Sequence, residues 1–152
     1  IETAGHRTAA SWMAATMPGS TVPLIPRTGY LVELNALWYD ALEFAIELFD
    51  GDTKYEKQRE RWSAVSASLA PSFISMFLNE AGYLWDYVEH SGPNPEVRPN
   101  MAIAIGLRHT PLSRRQCKGV LDVVTRELLT PQGLRTLSPK SGNYRPLYVG
   151  TT

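Results

Sequence analysis

A chain of 152 residues with 43% hydrophobic side chains is long enough for one domain with a packed core. Lys+Arg and Asp+Glu both number 15, so the net charge is zero. That argues against a nucleic-acid or anionic-membrane partner, which calls for basic excess, though a local basic patch is compatible with it. The lone cysteine, Cys117, excludes an internal disulfide framework, and no apolar run reaches the roughly 18 residues of a membrane span.

Residues 1–29 hold Pro18, Gly19, Pro23 and Pro26 without a sustained period, which predicts loop with short extended pieces. The run IETAGHRTAASW at their start holds no signal-peptide apolar region. Trp12 in this loop offers a flat apolar ring. From Tyr30 to Phe49 the three-and-four spacing of Leu34, Leu37, Ala41, Phe44, Ala45 and Leu48 predicts a helix with that face inward, stopped near Gly51. Glu33 shares a side with Leu37. It is either an inward carboxylate or a simple N-terminal charge favoured by the helix dipole. Asn35 and Trp38 lie beside it on the same helix.

A second helix is predicted from Tyr55 to Phe77. Its first half is charged, and Trp62, Val65, Leu69, Phe73, Met76 and Phe77 form its apolar stripe. Pro71 is expected to kink or split it. Asn79 to Pro99 reads as a long loop, of the kind that often carries function. Asp86 sits there between Trp85 and Tyr87. Pro99 holds Arg98 extended, and Asn100 either contacts a ligand or caps the next helix.

Met101 to Leu107 suits a buried strand or a helix equally by periodicity. Leu112 to Leu129 is a predicted helix capped by Ser113, with Val120, Leu121, Val124 and Leu128 apolar and Cys117 a small core residue. Pro131 and Gly133 then make a tight turn that delivers Arg135 between Leu134 and Leu137, next to Thr136. A buried guanidinium there needs acceptors, either a carboxylate or carbonyl row of its own fold or a ligand. His6, His90 and His109 have no metal-ligand spacing, so no metal is expected. Helices joined by long loops, without alternating strands, give an all-α fold class.

Four ordered motifs resemble one family. They are Trp12-Met13, the run PRTGYLVELNALWYDAL from Pro26 to Leu42, EVRPNMAIAIGL from Glu96 to Leu107, and ELLTPQGLRTLSP from Glu127 to Pro139 with the tail NYRPLYVG. Together they resemble the C-terminal amylo-α-1,6-glucosidase domain of bacterial-type glycogen debranching enzymes, over nearly the whole chain from Ser11 onward. The resemblance implies an (α/α)6 toroid with more helices than this chain supplies. Residues 1–152 are therefore expected to be a fragment of one glucosidase domain, with 1–29 as loop and 30–152 as its helical part. It favours helix for Met101 to Leu107.

It also implies hydrolysis of α-1,6-linked glucose stubs on a branched α-glucan (glycogen or limit dextrin). No cofactor and no metal are expected, nor a nucleic-acid or membrane partner. The expected compartment is the cytoplasm, with the periplasm open. Residues expected to bind substrate are Trp12, Glu33, Asn35, Trp38, Asp86, Arg98, Asn100, Arg135 and Thr136.

The family's acid, the Asp of a Trp-Met-Asp motif, falls on Ala14. Alanine has no proton to give, and loss of a general acid removes about 10²–10⁴-fold in rate. A natural loss, an engineered replacement and a truncated side chain all fit that alanine. The base is expected from a region beyond Thr152, so the catalytic pair is unknown here. The alternative reading is a non-catalytic α-glucan-binding or interaction domain on the same helices.

Overall fold

A computed structural model describes residues 1–3, 11–13, 15–16 and 19–147. Ala14 lies outside these described residues. Strand β1 (Tyr30–Leu31) leads directly into helix α1 (Val32–Leu48), and a 3-10 turn at Thr53–Tyr55 opens helix α2 (Glu56–Phe77). The strands β2 (Tyr87–Glu89) and β3 (Gly92–Pro93) precede helices α3 (Asn100–Gly106) and α4 (Arg114–Glu127). A last hairpin pairs β4 (Leu129–Thr130) with β5 (Gly133–Leu134). The chain is thus helix-rich rather than purely α.

The core lies where the four helices described here meet. Helix α1 packs on α2 and α3, and α3 on α4. Val32 and Ala36 of α1 join Phe73 and Phe77 of α2, Met101 and Ala104 of α3, Val120 and Val124 of α4, and Leu84 and Leu112 from the connections. Helix α4 starts as its sequence predicts. Ser113 accepts from the Gln116 backbone N–H, and the Gln116 side chain accepts from the Ser113 backbone, satisfying two end groups reciprocally. Its inner face is Val120, Val123 and Val124, while Leu121 is exposed. Cys117 is half-buried, and burial pushes its thiol above its ordinary value.

Three expectations are corrected. Pro71 does not split helix α2, which continues through it as one element. The donor that Pro71 lacks would have served the Ala67 carbonyl, and that position is exposed, where water can serve it. The segment from Asn79 to Pro99 contains a hairpin, and β1-β2-β3 form an antiparallel sheet with Tyr30 opposite Val88 and Val88 opposite Pro93. Strands of two and three residues are too short to show alternation.

The third correction concerns the inner face of α1. It is Val32, Glu33, Asn35, Ala36 and Leu42, whereas Leu37, Phe44 and Leu48 are 43%, 50% and 59% exposed. Gly29 just before β1 is required by its neighbours. It has φ +77°, and a Cβ there would overlap the Val88 carbonyl of β2.

Candidate functional site: a buried ionic network behind a polar cleft

Gly29 brings the chain close to β2, and Arg27, two residues earlier, enters the interior between β2 and the start of α1. Its Nε donates to Asp86 Oδ2 at 2.8 Å. Its Nη1 donates to Glu33 Oε1 at 2.6 Å and to Ser11 Oγ at 3.0 Å. Its Nη2 donates to Glu33 Oε2 at 2.8 Å, to Asp86 Oδ1 at 3.0 Å and to the Asp86 carbonyl at 3.1 Å. Every N–H of the guanidinium fork therefore has an acceptor. Arg27, Glu33 and Asp86 are buried together. Removal of Arg27 leaves two buried carboxylates without their shared cation.

Asp86 carries the network onward. Asn100 Nδ2 donates to its Oδ1 at 2.6 Å and also lies 3.0 Å from Met13 Sδ. The Arg98 Nε stands 3.7 Å from its Oδ2. Burial pushes the Asp86 carboxyl above its ordinary value, and the Arg27, Asn100 and Arg98 neighbours only partly offset this. Burial works the other way on the Arg27 guanidinium, but its carboxylate partners, Glu33 foremost, outweigh it and hold the group firmly charged.

Arg98 faces outward from this interior. Its Nε and Nη2 donate to Glu96 Oε2 at 3.1 and 2.6 Å, and its Nη1 to the Thr136 carbonyl at 3.2 Å. Arg98, Glu96 and Thr136 line a cleft of about 470 Å³ closed by Leu24–Pro26, Tyr87 and the segment Asn143–Arg145. Thr136 also borders a more apolar depression of about 630 Å³ formed with Trp12, Pro99, Ala102, Ile103 and Leu134. Trp12 stands 62% exposed at its edge.

Of the residues singled out from sequence, the structure brings together Glu33, Asp86, Arg98 and Asn100 in the network, with Trp12 and Thr136 at the adjoining clefts. It does not bring in the other three. Asn35 is buried but binds backbone atoms of Ile1 and Leu31. Trp38 is exposed, and five helical residues past Glu33 it points about 140° away around α1. Arg135 is half-buried, and its Nη1 reaches the Leu129 carbonyl of its own hairpin at 3.4 Å. Leu134 beside it is exposed, so Arg135 is not clamped between leucines. Asn100 opens α3 without a side-chain cap bond, so its side chain serves Asp86 instead of the helix end.

Sequence reasoning missed Arg27, the hub. A proline and an obligatory glycine bracket it in Pro26-Arg27-Thr28-Gly29, but that motif carries no sign of where its acceptors lie. Glu96, Tyr87 and Asn143 were also missed. Among the described residues no group of three metal-ligating side chains comes together, and no helix is long and apolar enough to cross a membrane.

Comparison with known proteins gives this arrangement its family. The amylo-alpha-1,6-glucosidase family model matches residues 1–152. The chain belongs to the amylo-α-1,6-glucosidase family. It is also similar to the glycogen debranching enzyme of Saccharomyces cerevisiae, at 25% identity over 155 residues, covering 84% of this chain. The chain spans 10% of the length of that curated relative.

Within an amylo-α-1,6-glucosidase, two carboxyl groups flanking the bond are the usual requirement. Glu33 and Asp86 do not have that form here. Both are buried and both are held by one guanidinium, so neither is open to a substrate in this arrangement.

Proposed function

We propose that this chain forms part of the substrate-binding wall of an amylo-α-1,6-glucosidase domain, in a protein that removes α-1,6-linked glucose stubs from glycogen or limit dextrin in the cytoplasm. The observation that carries this reading is the family match over the whole chain. The buried network supports it physically, because the ion pairs of Arg27 fix the frame on which Arg98 is presented to the cleft. The apolar outer face of α1 accords with a place in a larger helical toroid.

Hydrolysis needs a proton delivered to the leaving oxygen and a second carboxylate to activate water or to attack. The family's acid falls on Ala14, and the base is assigned to another part of the protein. In this form the chain binds glucan and does not cleave it. A non-catalytic glucan-binding module is the second reading, favoured by the commitment of Glu33 and Asp86 to Arg27.

The test is glucose release from limit dextrin by the full-length protein, with Ala14 and with Ala14→Asp. Release only from the aspartate form supports the enzyme reading. Equal release from both places the acid elsewhere. No release from either, with glucan binding retained, supports the binding module.

A further inference from the structure

Two contacts leave the buried network and reach the same short loop, one on each side of Trp12. Ser11 Oγ accepts from Arg27 Nη1 at 3.0 Å and from the Met13 backbone N–H at 3.4 Å. The second bond closes a local turn with Trp12 at its apex, a pattern that serine hydroxyls favour. The first ties that turn to a charged donor, and such bonds are stronger than neutral ones. On the far side of Trp12, Met13 Sδ lies 3.0 Å from Asn100 Nδ2. Thioether sulfur is a weak acceptor, so this is the lesser of the two tethers.

Both tethers start from one carboxylate. Arg27 and Asn100 each donate to Asp86, and Asp86 decides which end of the Asn100 amide faces Met13. The reversed amide would set an oxygen against Asp86 Oδ1, where Nδ2 now donates at 2.6 Å. Asn100 Oδ1 is left without a partner among the described residues, although Asn100 is fully buried, so the amide is aimed by Asp86 and not by its own fullest satisfaction. The loop thus held carries an exposed ring with little packing of its own. Trp12 borders the apolar depression, whose other walls include Pro99, the residue before Asn100. A ring already fixed in place loses less freedom when something binds against it.

We propose that Ser11 and Asn100 are positioning residues for Trp12: they clamp its loop on both sides and pass the rigidity of the Arg27–Asp86 network to the wall of the apolar depression. Neither lines that depression, so each acts through the ring. This deepens the binding-wall reading above and rests on it only for what lies against Trp12.

The test labels the whole chain with 5-fluorotryptophan, so that Trp12, Trp38, Trp62 and Trp85 each give one fluorine signal, and Trp12→Phe assigns the first. Ser11→Ala and Asn100→Ala are the variants, each checked by its unfolding curve. In both, transverse relaxation of the Trp12 signal should slow as the ring gains freedom, while that of Trp38 on α1 stays as it was. Ser11→Thr keeps the hydroxyl and should restore the wild-type rate. A role in stability alone would shift the unfolding curves and leave Trp12 relaxation unchanged, and that result would overturn the clamp. If Asn100→Ala does not fold, Ser11→Ala and Ser11→Thr decide the matter. Calorimetry with limit dextrin should show binding about three- to tenfold weaker in Ser11→Ala, the effect of one lost hydrogen bond. Unchanged affinity with a freed ring would overturn the link from the clamp to binding. Absence of dextrin binding by the wild-type chain would overturn the binding-wall reading, and the fluorine signals would still decide the clamp.

Discussion

Helix α1 turns two contrasting faces to its surroundings. Its inner side buries Glu33 at 1% exposure and Asn35 at 4%, while its outer side shows Phe44 at 50% and Leu48 at 59%. Hydropathy alone predicts the reverse. The inner carboxylate is tolerable because Arg27 meets it with two hydrogen bonds of 2.6 and 2.8 Å, and a buried charge is bearable only when paired and hydrogen-bonded. Partnership with Arg27, six positions before Glu33, and not residue type, decided which side of α1 went inward.

If that is right, removing the partner should do more damage than removing the apolar groups outside. Arg27→Ala leaves Glu33 and Asp86 buried without their cation, and is expected to cost about 3–5 kcal/mol in urea unfolding. A loss under about 1 kcal/mol would show that water enters the network and that the contrast between the faces is overstated.

A second, smaller effect appears in pH dependence. Glu96 has a lowered folded value, so its contribution is present above the ordinary 4.5 and is lost as pH falls through that lowered value. The difference in stability between wild type and Glu96→Gln should therefore shrink on acidification. Asp86 has the opposite sign. Its folded value lies above the ordinary 3.8, so its ionisation costs stability as pH rises from there through the raised value. Unfolding midpoints of Glu96→Gln and Asp86→Asn against wild type, taken from neutral to acid pH, should diverge in opposite directions. Parallel curves would remove both shifts.

The smallest effect belongs to the outer face. Phe44→Ser and Leu48→Lys should each change stability by no more than about 0.5 kcal/mol, as surface substitutions do. A larger loss on unfolding would mean that this face is covered in solution, and light scattering on the same variants would show by what.

Much of the helical frame was legible beforehand. The Ser113 cap, the ends of α2 and the Phe73–Phe77 stripe follow from local chemistry, which a single sequence carries. The faces of α1 were not legible because an arginine six positions upstream turns inward only with Asp86 as its second partner, and the hairpin after Trp85 depends on pairing with β1. The same holds for the site. Arg98, Asn100, Asp86 and Glu33 stood out as polar residues in apolar or rigid settings, and the structure gathers them. Arg27 did not stand out, since nothing in Pro-Arg-Thr-Gly reveals that its acceptors lie near α1 and β2. Trp38 was chosen for its ring and Arg135 for its turn, and neither criterion carries information on direction.

The distances along the chain bear on how the molecule assembles. Arg27 reaches Asp86 across 59 positions, and Asn100 reaches Met13 across 87. Helices α1 and α2, by contrast, are joined by a short connection and close on each other through Ser66 and Glu43. Closing long loops costs entropy before any contact rewards it. The helical pair is thus the natural nucleus, and the ionic network is a late-forming seal. Its loss should act chiefly on how fast the native state comes apart, and much less on how fast it is reached.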